Sequence, residues 1–375
     1  MGDRDRDAAA DSSRARRHRL PAPRALDRGA RVRGRDAQGL QPLERRLTNG
    51  LVSVVIVTWN SAPFLRRCLA ALAAQTYRPI ELIHVDNASS DDSVAIVREC
   101  ATAQHIINDT NRGFSAAVNH AVRVANGEFV LLLNPDAYLE PDYVSSLVSA
   151  MDGFGMATGK LLQADSGFVD SKGIRMTRSG RHFDIGQGSR ESGVGSRRPE
   201  KTSDSDTRHP TPDTQEVFGV SGAAAMYRAT FITDVTVGGE FLDEDFFAFR
   251  EDADVAWRGR LFGWKAIYVP EAVAHHVRTV TPEKRRALSA VINMHGVKNR
   301  FLLRLKNEGL YLALRNAPFE LTRDLIVILA TLTIERSSLP ALTWLWKNRR
   351  RIMEKRRAIQ SRRRISDRDL AGWFV

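Results

Sequence analysis

The sequence predicts an α/β fold on a doubly wound sheet, and three observations carry that prediction. Short apolar runs alternate with stretches of helical periodicity, the connections between them are short, and polar residues collect where the runs end. Val52-Ser-Val-Val-Ile-Val57 reads as a buried strand, since a strand covered on both faces is apolar almost throughout. Thr58-Trp-Asn-Ser61 turns the chain. A helix follows, with Ser61 as its cap, Pro63 in its first turn, and Leu65, Cys68, Leu69 and Leu72 at helical spacing. Glu81-Leu-Ile-His-Val85 is the second strand. Asp86-Asn-Ala-Ser-Ser-Asp-Asp92 is a polar loop leading into a second helix through Cys100. Ile106-Ile107 is a short third strand, a small-residue helix runs from about Ser115 to Ala125, and Glu128-Phe-Val-Leu-Leu-Leu133 is a further strand. Strands joined by helices run parallel, and their ligand crevice lies beyond their C-terminal ends. Thr58, Asp86 and Asn134-Pro-Asp136 stand at three such ends.

Composition divides the chain into three parts. Residues 1–46 alternate Arg, Asp, Ala, Pro and Gly without apolar periodicity, so residues 1–50 are expected to form a disordered basic arm. Residues 51–280 form the α/β domain, interrupted by a polar stretch from Gly186 to Gln215 that reads as a mobile loop. Residues 281–375 read as a helical, basic extension. The net charge of +12 is concentrated at the two ends, which suits an anionic partner, either nucleic acid or a membrane face. Cys68 and Cys100 are too few for a disulfide framework or a multi-cysteine metal site, and both fall in apolar-periodic stretches, so packing is the expected role. The N-terminus lacks the apolar region of a secretory signal. The longest apolar run, Leu325 to Ile334, is too short to span a bilayer.

Three carboxylate positions carry the candidate chemistry. Asp86 follows a strand directly, where it could accept the N3–H of a uracil or thymine ring; taken alone, it reads more simply as a cap for the helix starting near Ser93, helped by Asp91 and Asp92. Asn134-Pro-Asp136 ends an apolar strand at the crevice. A carboxylate there suits a hard cation bridging a diphosphate, although an Asx-Pro turn explains the tripeptide equally well. In Phe246-Phe-Ala-Phe-Arg-Glu-Asp-Ala-Asp254, Glu251 and Asp252 open a helix, and the aromatic run could wall a sugar pocket. A carboxylate here could take the proton of an attacking hydroxyl. Acidic residues are ordinary in a first helical turn, but the whole constellation is not. His275-His276 ends the strand-like Ala266-Ile-Tyr-Val-Pro-Glu-Ala-Val-Ala274, where a lone histidine is more often structural than a ligand. Asn111-Arg-Gly-Phe114 is either a turn or a point where glycine lets backbone approach a ribose or phosphate.

Read in order, Val54-Val-Ile-Val-Thr-Trp-Asn60, Val85-Asp-Asn-Ala-Ser-Ser-Asp91, Asn111-Arg-Gly-Phe114, Leu133-Asn-Pro-Asp136, Gly219-Val-Ser-Gly222 and Phe247-Ala-Phe-Arg-Glu-Asp-Ala-Asp254 resemble the family 2 glycosyltransferases, in particular their rhamnosyltransferase-like branch. The resemblance runs from about Val52 to the histidine pair. It implies the GT-A fold, in which a nucleotide-binding half joins an acceptor-binding half. By resemblance, Thr58, Asn60, Asp86, Asn111, Gly113 and Asn134 lie on the side of a dTDP- or UDP-linked donor. Asp136 and His276 would hold Mg2+ or Mn2+, and Asp252 would be the catalytic base with Glu251 supporting it. The first position of the family's two-carboxylate metal motif is here Asn134, which suits contact with the donor ribose rather than with a metal. The implied reaction is one inverting displacement, with L-rhamnose from dTDP-rhamnose as the best reading of the donor. The acceptor would be a hydroxyl of a glycan or polyprenyl-linked glycan.

Rival classes lack their own signatures. A dinucleotide-dependent oxidoreductase needs G-x-G-x-x-G after the first strand, and Thr58-Trp-Asn-Ser-Ala-Pro63 has no glycine; a P-loop is absent for the same reason. A nucleotidyltransferase that makes nucleotide sugars is the nearest rival, but its glycine- and lysine-rich first loop is missing. No recognised nucleic-acid module lies between the basic ends, so no nucleic-acid partner is expected. The basic run from Lys347 to Arg364, beside Leu342, Trp344, Leu345 and Trp346, is expected to dock a cytoplasmic, peripheral protein on an anionic membrane surface near a lipid-linked acceptor.

Overall fold

In the computed structural model, which describes residues 47–100, 103–190, 214–278 and 290–375, the first strand is longer than its apolar run. β1 spans Thr48–Thr58 and is followed by α1 (Ala62–Ala73), β2 (Ile80–Asp86), α2 (Ser93–Arg98), β3 (Ala103–Ile107), α3 (Phe114–Val124) and β4 (Gly127–Leu133). β1 runs parallel to both β2 and β4, and β2 runs parallel to β3. Alternate residues of these strands feed two cores, one on each face. Val52, Val54 and Ile56 pack with Leu65, Cys68 and Leu72 of α1, whereas Val55 packs with Ala117, Val118 and Ala121 of α3. Burial on both faces is what makes these strands read as continuous apolar runs. Cys68 is part of the first core, and burial pushes its thiol up to about 12, so the packing role holds.

Beyond β4 the sheet is mixed. β5 (Ala137–Leu139), α4 (Tyr143–Ala150), β6 (Met156–Gln163), β7 (Val169–Ser171), and the small hairpin of β8 (Ile174–Met176) and β9 (His182–Asp184) follow in order. β10 (Gln215–Val217), β11 (Ala224–Arg228), α5 (Ala229–Val235), α6 (Glu251–Leu261) and β12 (Ala266–His276) complete the domain. The strand order is β10-β12-β6-β11-β4-β1-β2-β3, with β5 on β12 and β7 on β6. β11 is antiparallel to both β4 and β6, whereas β12 runs parallel to β6, so the sheet is uniformly parallel only in the first half of the domain. The basic arm through residue 46 and residues 191–213 of the expected loop lie outside the described residues. Residues 186–190 are held against β7, with Gly188 N donating to Val169 O.

The extension folds as α7 (Ala290–Asn307), α8 (Leu310–Thr333), α9 (Leu339–Lys347), α10 (Arg349–Ser361) and α11 (Asp367–Leu370). A buried ion network fastens it to α6. Lys306 Nζ bridges Asp243 and Asp254, lying 2.9 Å from Asp254 Oδ1, to which Asn307 Nδ2 also donates at 2.7 Å. Arg258 Nε meets the other Asp254 oxygen at 2.9 Å, and Lys355 of α10 reaches Glu240, Asp243 and Asp245 at 2.6–3.1 Å. Burial alone would raise the Asp243 carboxyl, but the Lys306 and Lys355 charges outweigh it and hold it low. The basic run is therefore not a free tail. Arg351, Lys355, Arg362, Arg363 and Arg364 are paired with Asp245, Asp243, Asp234 and Asp367 of the protein itself.

Removing one member of a buried ion cluster strands the charges around it, typically at about 3–5 kcal/mol. We expect Asp254→Ala to lower the melting temperature sharply in thermal denaturation, because Lys306 and Arg258 lose their shared acceptor. Wild-type stability in this variant would show that the network does not hold the extension in place.

Candidate active site

The C-terminal ends of β1, β2 and β4 lie side by side in the sheet. Register places Thr58 opposite Asp86, and Thr58 Oγ1 donates to Asp86 Oδ1 at 2.7 Å. The same hydroxyl lies 2.8 Å from His84 Nε2. A hydroxyl has one proton, so with that proton on Asp86, His84 must donate from Nε2. Burial lowers the His84 pKa to about 4, outweighing the pull of Asp86, so the ring is neutral. Asp86 is 1% exposed and also accepts from Ser89 N at 2.8 Å and Ser89 Oγ at 2.6 Å. Its local role is thus to close the loop after β2 rather than to cap α2, where Asp91 accepts from Ser93 N instead. Three of its roughly four lone-pair positions are used, leaving one on Oδ2 for a ligand.

The other residues read as donor contacts are engaged in shaping loops. Asn60, with φ of 53°, accepts from Ser90 N at 2.8 Å through its side chain and donates its own N–H to Ser89 Oγ. It staples the loop after β1 to the loop after β2. Asn111 Oδ1 accepts from Gly113 N at 2.9 Å, and Gly113 O accepts from Asn87 Nδ2 at 3.1 Å. The glycine is required by a neighbour: a Cβ there would come within 2.5–2.8 Å of the ring and carbonyl of Phe247. That space belongs to the protein, not to a phosphate. Asn134 is partly exposed at the end of β4, its backbone N–H bound to Ala223 O.

Asp136 and His276 are brought together by strand pairing, since β5 runs antiparallel to the end of β12 with Ala137 opposite His276. His276 Nε2 lies 3.4 Å from Asp136 Oδ1, and its Nδ1 lies 2.8 Å from Asp170 Oδ2 on β7. Burial would lower the His276 pKa, but the hydrogen bonds and charges of Asp136 and Asp170 outweigh it and push it up to about 9. His275 points elsewhere, to Glu140 Oε1 at 2.9 Å. Among the described residues no three His, Cys, Asp or Glu side chains gather as a metal cage. Asp136 and His276 nevertheless fit a site completed by phosphate oxygens, since a carboxylate on the far nitrogen is the usual support of a metal-binding histidine.

Asp170 and Arg278 were not legible as site residues in the sequence. Asp170 is fully buried and pairs with Arg278 Nε at 2.7 Å, while Arg278 NH2 pairs with Asp184 Oδ2 at 2.7 Å. Asp184, in turn, is one of the charges that raise the Asp252 pKa. At Asp252 burial is the largest cause, moderated by N–H donation from Ala253 at 2.7 Å and Gly222 at 3.3 Å, and the carboxyl is pushed up to about 6. Glu251 is raised further, by its own burial and then by the neighbouring Asp252 charge, and its Oε2 has no partner among the described residues. Asp254, by contrast, serves the buried ion network.

The aromatic run leading to these carboxylates does not form one wall. Phe246 is buried in the core, Phe247 stacks on His295 at 4.8 Å, and Phe249 is 40% exposed. Phe247, Phe249 and Arg250 all have φ between 65° and 71°. Asn299 of α7 holds this strained turn, with Nδ2 within 2.8–2.9 Å of the carbonyls of Phe246, Ala248 and Phe249.

The mixed α/β sheet is that of the GT-A fold. Residues 53–234 match the sequence model described as glycosyl transferase family 2. Over these residues, just under half of its length, the chain is a family 2 glycosyltransferase domain. It is 28% identical over 244 residues to the N-acetylglucosaminyl-diphospho-decaprenol L-rhamnosyltransferase of Mycobacterium tuberculosis, covering 60% of this chain and 76% of that one. Over 98 residues it is 35% identical to the chondroitin synthase of Escherichia coli, covering 25% of this chain and 14% of that one. Among solved structures, GalNAc-T7 with UDP, GalNAc and Mn2+ shares the fold at a TM-score of 0.50 and 14% identity, over 68% of this chain and 48% of that one.

Gly113→Ala tests the contact between the donor-side loop and the turn before Asp252. At φ of 87° a side chain is strained by roughly 1–3 kcal/mol before any clash. We expect lowered thermal stability together with a measurable loss of nucleotide affinity, as the Phe247 turn is displaced. An alanine variant with wild-type stability would mean that the two loops do not touch.

Proposed function

We propose that this enzyme performs an inverting, metal-dependent transfer of L-rhamnose from dTDP-rhamnose to a hydroxyl of a polyprenyl-diphosphate-linked glycan. The similarity to an L-rhamnosyltransferase acting on a decaprenyl-linked sugar, over most of that protein's length, supports this donor and acceptor class. The observation that carries the mechanism is Asp252, a carboxyl raised by burial at the head of α6. Arg278 and Asp184 link it electrostatically to the Asp136–His276 pair. Nucleotide sugars are cytoplasmic metabolites, so we place the protein at the cytoplasmic face of a membrane, as a peripheral component.

Asp252 takes the proton of the acceptor hydroxyl as its oxygen forms a bond to the anomeric carbon. The bond from that carbon to the diphosphate oxygen breaks on the opposite side, and the nucleoside diphosphate leaves with the bonding pair. The transition state has oxocarbenium character, as in other glycosyl chemistry. Glu251 remains protonated while Asp252 is charged, because two adjacent buried carboxylates resist ionising together. Asp86 and Thr58 form the floor beneath the nucleoside, and Asp136 and His276 face the diphosphate. A divalent cation held there would offset the charge of the departing diphosphate.

Incubation with dTDP-rhamnose and a short-chain prenyl-diphosphate-linked acceptor, followed by mass and anomeric analysis of the product, tests the reading. Transfer from another nucleotide sugar alone would replace rhamnose as the donor. Asp252→Asn keeps shape but cannot take the proton, so we expect donor binding to survive while turnover falls about 10²–10⁴-fold. The base works only when deprotonated and its pKa is raised, so wild-type kcat/KM should rise with pH through about 6, above the range of an ordinary aspartate. A profile flat down to pH 4 would exclude Asp252.

Calorimetry of nucleoside diphosphate binding checks the metal pair. Chelation by EDTA and Asp136→Ala should each weaken binding in the presence of Mn2+, with a smaller loss in His276→Ala and little in His275→Ala. Equal affinity under all of these conditions would remove the pair from the donor site.

A further inference from the structure

Helix α8 is built inside out. At about 100° per residue, Leu310, Leu314, Leu321, Leu325, Leu329 and Leu332 fall within one stripe roughly 100° wide. All six are exposed, from 47% at Leu332 to 73% at Leu310. Asn316, Glu320, Asp324 and Thr331 lie on the other side and are buried. The inward carboxylates meet α7, where Arg300 Nε lies 3.2 Å from Asp324 and Arg304 lies 2.8 Å from Asp324 and 3.8 Å from Glu320. A helix on a water-soluble domain shows the reverse polarity. A continuous leucine stripe also exceeds the scattered apolar residues of an ordinary surface.

The flanks of the stripe carry a second, independent signal. Ile334, 86% exposed, marks its end, and the chain then bends by 107° into the segment Arg336–Lys347, which presents Trp346 at 65% exposure. Arg336, Lys347, Arg349 and Arg350 are exposed beside it. From Leu310 to Met353 no carboxylate is exposed: Glu320 and Asp324 are buried and Glu335 is partly buried. No single described helix is long and apolar enough to cross a membrane, but two helices meeting at an angle can both lie along one surface.

We propose that the leucine stripe of α8, with Trp346 and the rim of Arg336, Lys347, Arg349 and Arg350, docks in the headgroup region of an anionic lipid bilayer. Charge decides the occupant. A second copy of the chain would set these cations against each other, whereas anionic headgroups meet the rim while the acyl boundary takes the leucines. The indole of Trp346 suits the same depth. This surface deepens the peripheral placement proposed above and rests on it, but centres the contact on α8 and keeps only the first residues of the basic run. The docking face is tied to the active site. Arg178, in the turn of the β8–β9 hairpin that carries Asp184, lies 4.1 Å over the Phe319 ring and donates to Arg315 O, and Arg300 donates to Ser179 O in the same turn.

Flotation of the full chain with phosphatidylcholine vesicles, with and without phosphatidylglycerol, tests the proposal. We expect the wild type to float with the anionic vesicles at low salt and to be released by salt. Leu321→Asp/Leu325→Asp alters exposed positions only, so it should keep the wild-type melting temperature and stay unbound. Trp346→Ala, milder still, should weaken binding, and Arg349→Glu/Arg350→Glu should weaken it by at least about tenfold. Transfer to a short-chain acceptor in lipid-free buffer should be unchanged in all of them, which separates failure of docking from failure of the proposed reaction. A folded leucine variant that floats like the wild type, or a wild type that floats with neither vesicle, overturns the proposal. So does a solution dimer that Leu321→Asp/Leu325→Asp dissociates, which would name a second copy as the occupant.

Discussion

The buried carboxylate of Asp254 is the point on which the arrangement of the candidate site rests. It lies in α6, one turn into the helix that Glu251 and Asp252 open, and it gathers Arg258, Lys306 and Asn307 around two oxygens. Charges taken out of water survive only when paired and hydrogen-bonded, so each partner fixes the others. Because Lys306 and Asn307 end α7, the helix bearing the carboxylates and the extension beyond the α/β domain form one body. Lys355 then ties α10 into the same cluster through Asp243. The positive charge of the C-terminal region is largely structural mortar in this part of the molecule.

The candidate site itself has an electrostatic order. From Asp136 through His276, Asp170 and Arg278 to Asp184, carboxylates alternate with cationic groups, and the Asp184 charge then helps burial raise Asp252. Each intervening cation lowers the cost of holding carboxylates close together, and the row ends at a carboxyl that burial raises. The two ends thereby differ: the His276 end favours a positive charge, and at the other burial pushes the Asp252 carboxyl up to about 6.

Much of this was legible in the sequence, for identifiable reasons. The strands around Val54, Ile83 and Leu131 are covered on both faces and so appear as apolar runs. Glu251 and Asp252 stand out because a pair of acids follows an aromatic run. Direction of β11 was not legible, since strand direction depends on the route of the connection and not on the strand's own residues. Asp170 lies in a three-residue strand, and its partner His276 is 106 positions away. The leucines of α8 show helical spacing, but which side faces inward is decided by Arg300 and Arg304 on another helix. Gly113 was legible as a special position, while the reason for it, the ring of Phe247, was not.

The turn held by Asn299 bears on modularity. Three non-glycine residues in left-handed conformation, each costing roughly 1–3 kcal/mol, persist only while something external compensates them. That compensation comes from α7, which lies wholly outside the stretch matched by the family. The transferase domain and the extension are therefore not interchangeable cassettes. Recombining this α/β half with a different C-terminal region would transplant Glu251 and Asp252 without the Asn299 clamp on the turn before them and without the Lys355 pairing of Asp243, so the extension has to travel with the domain.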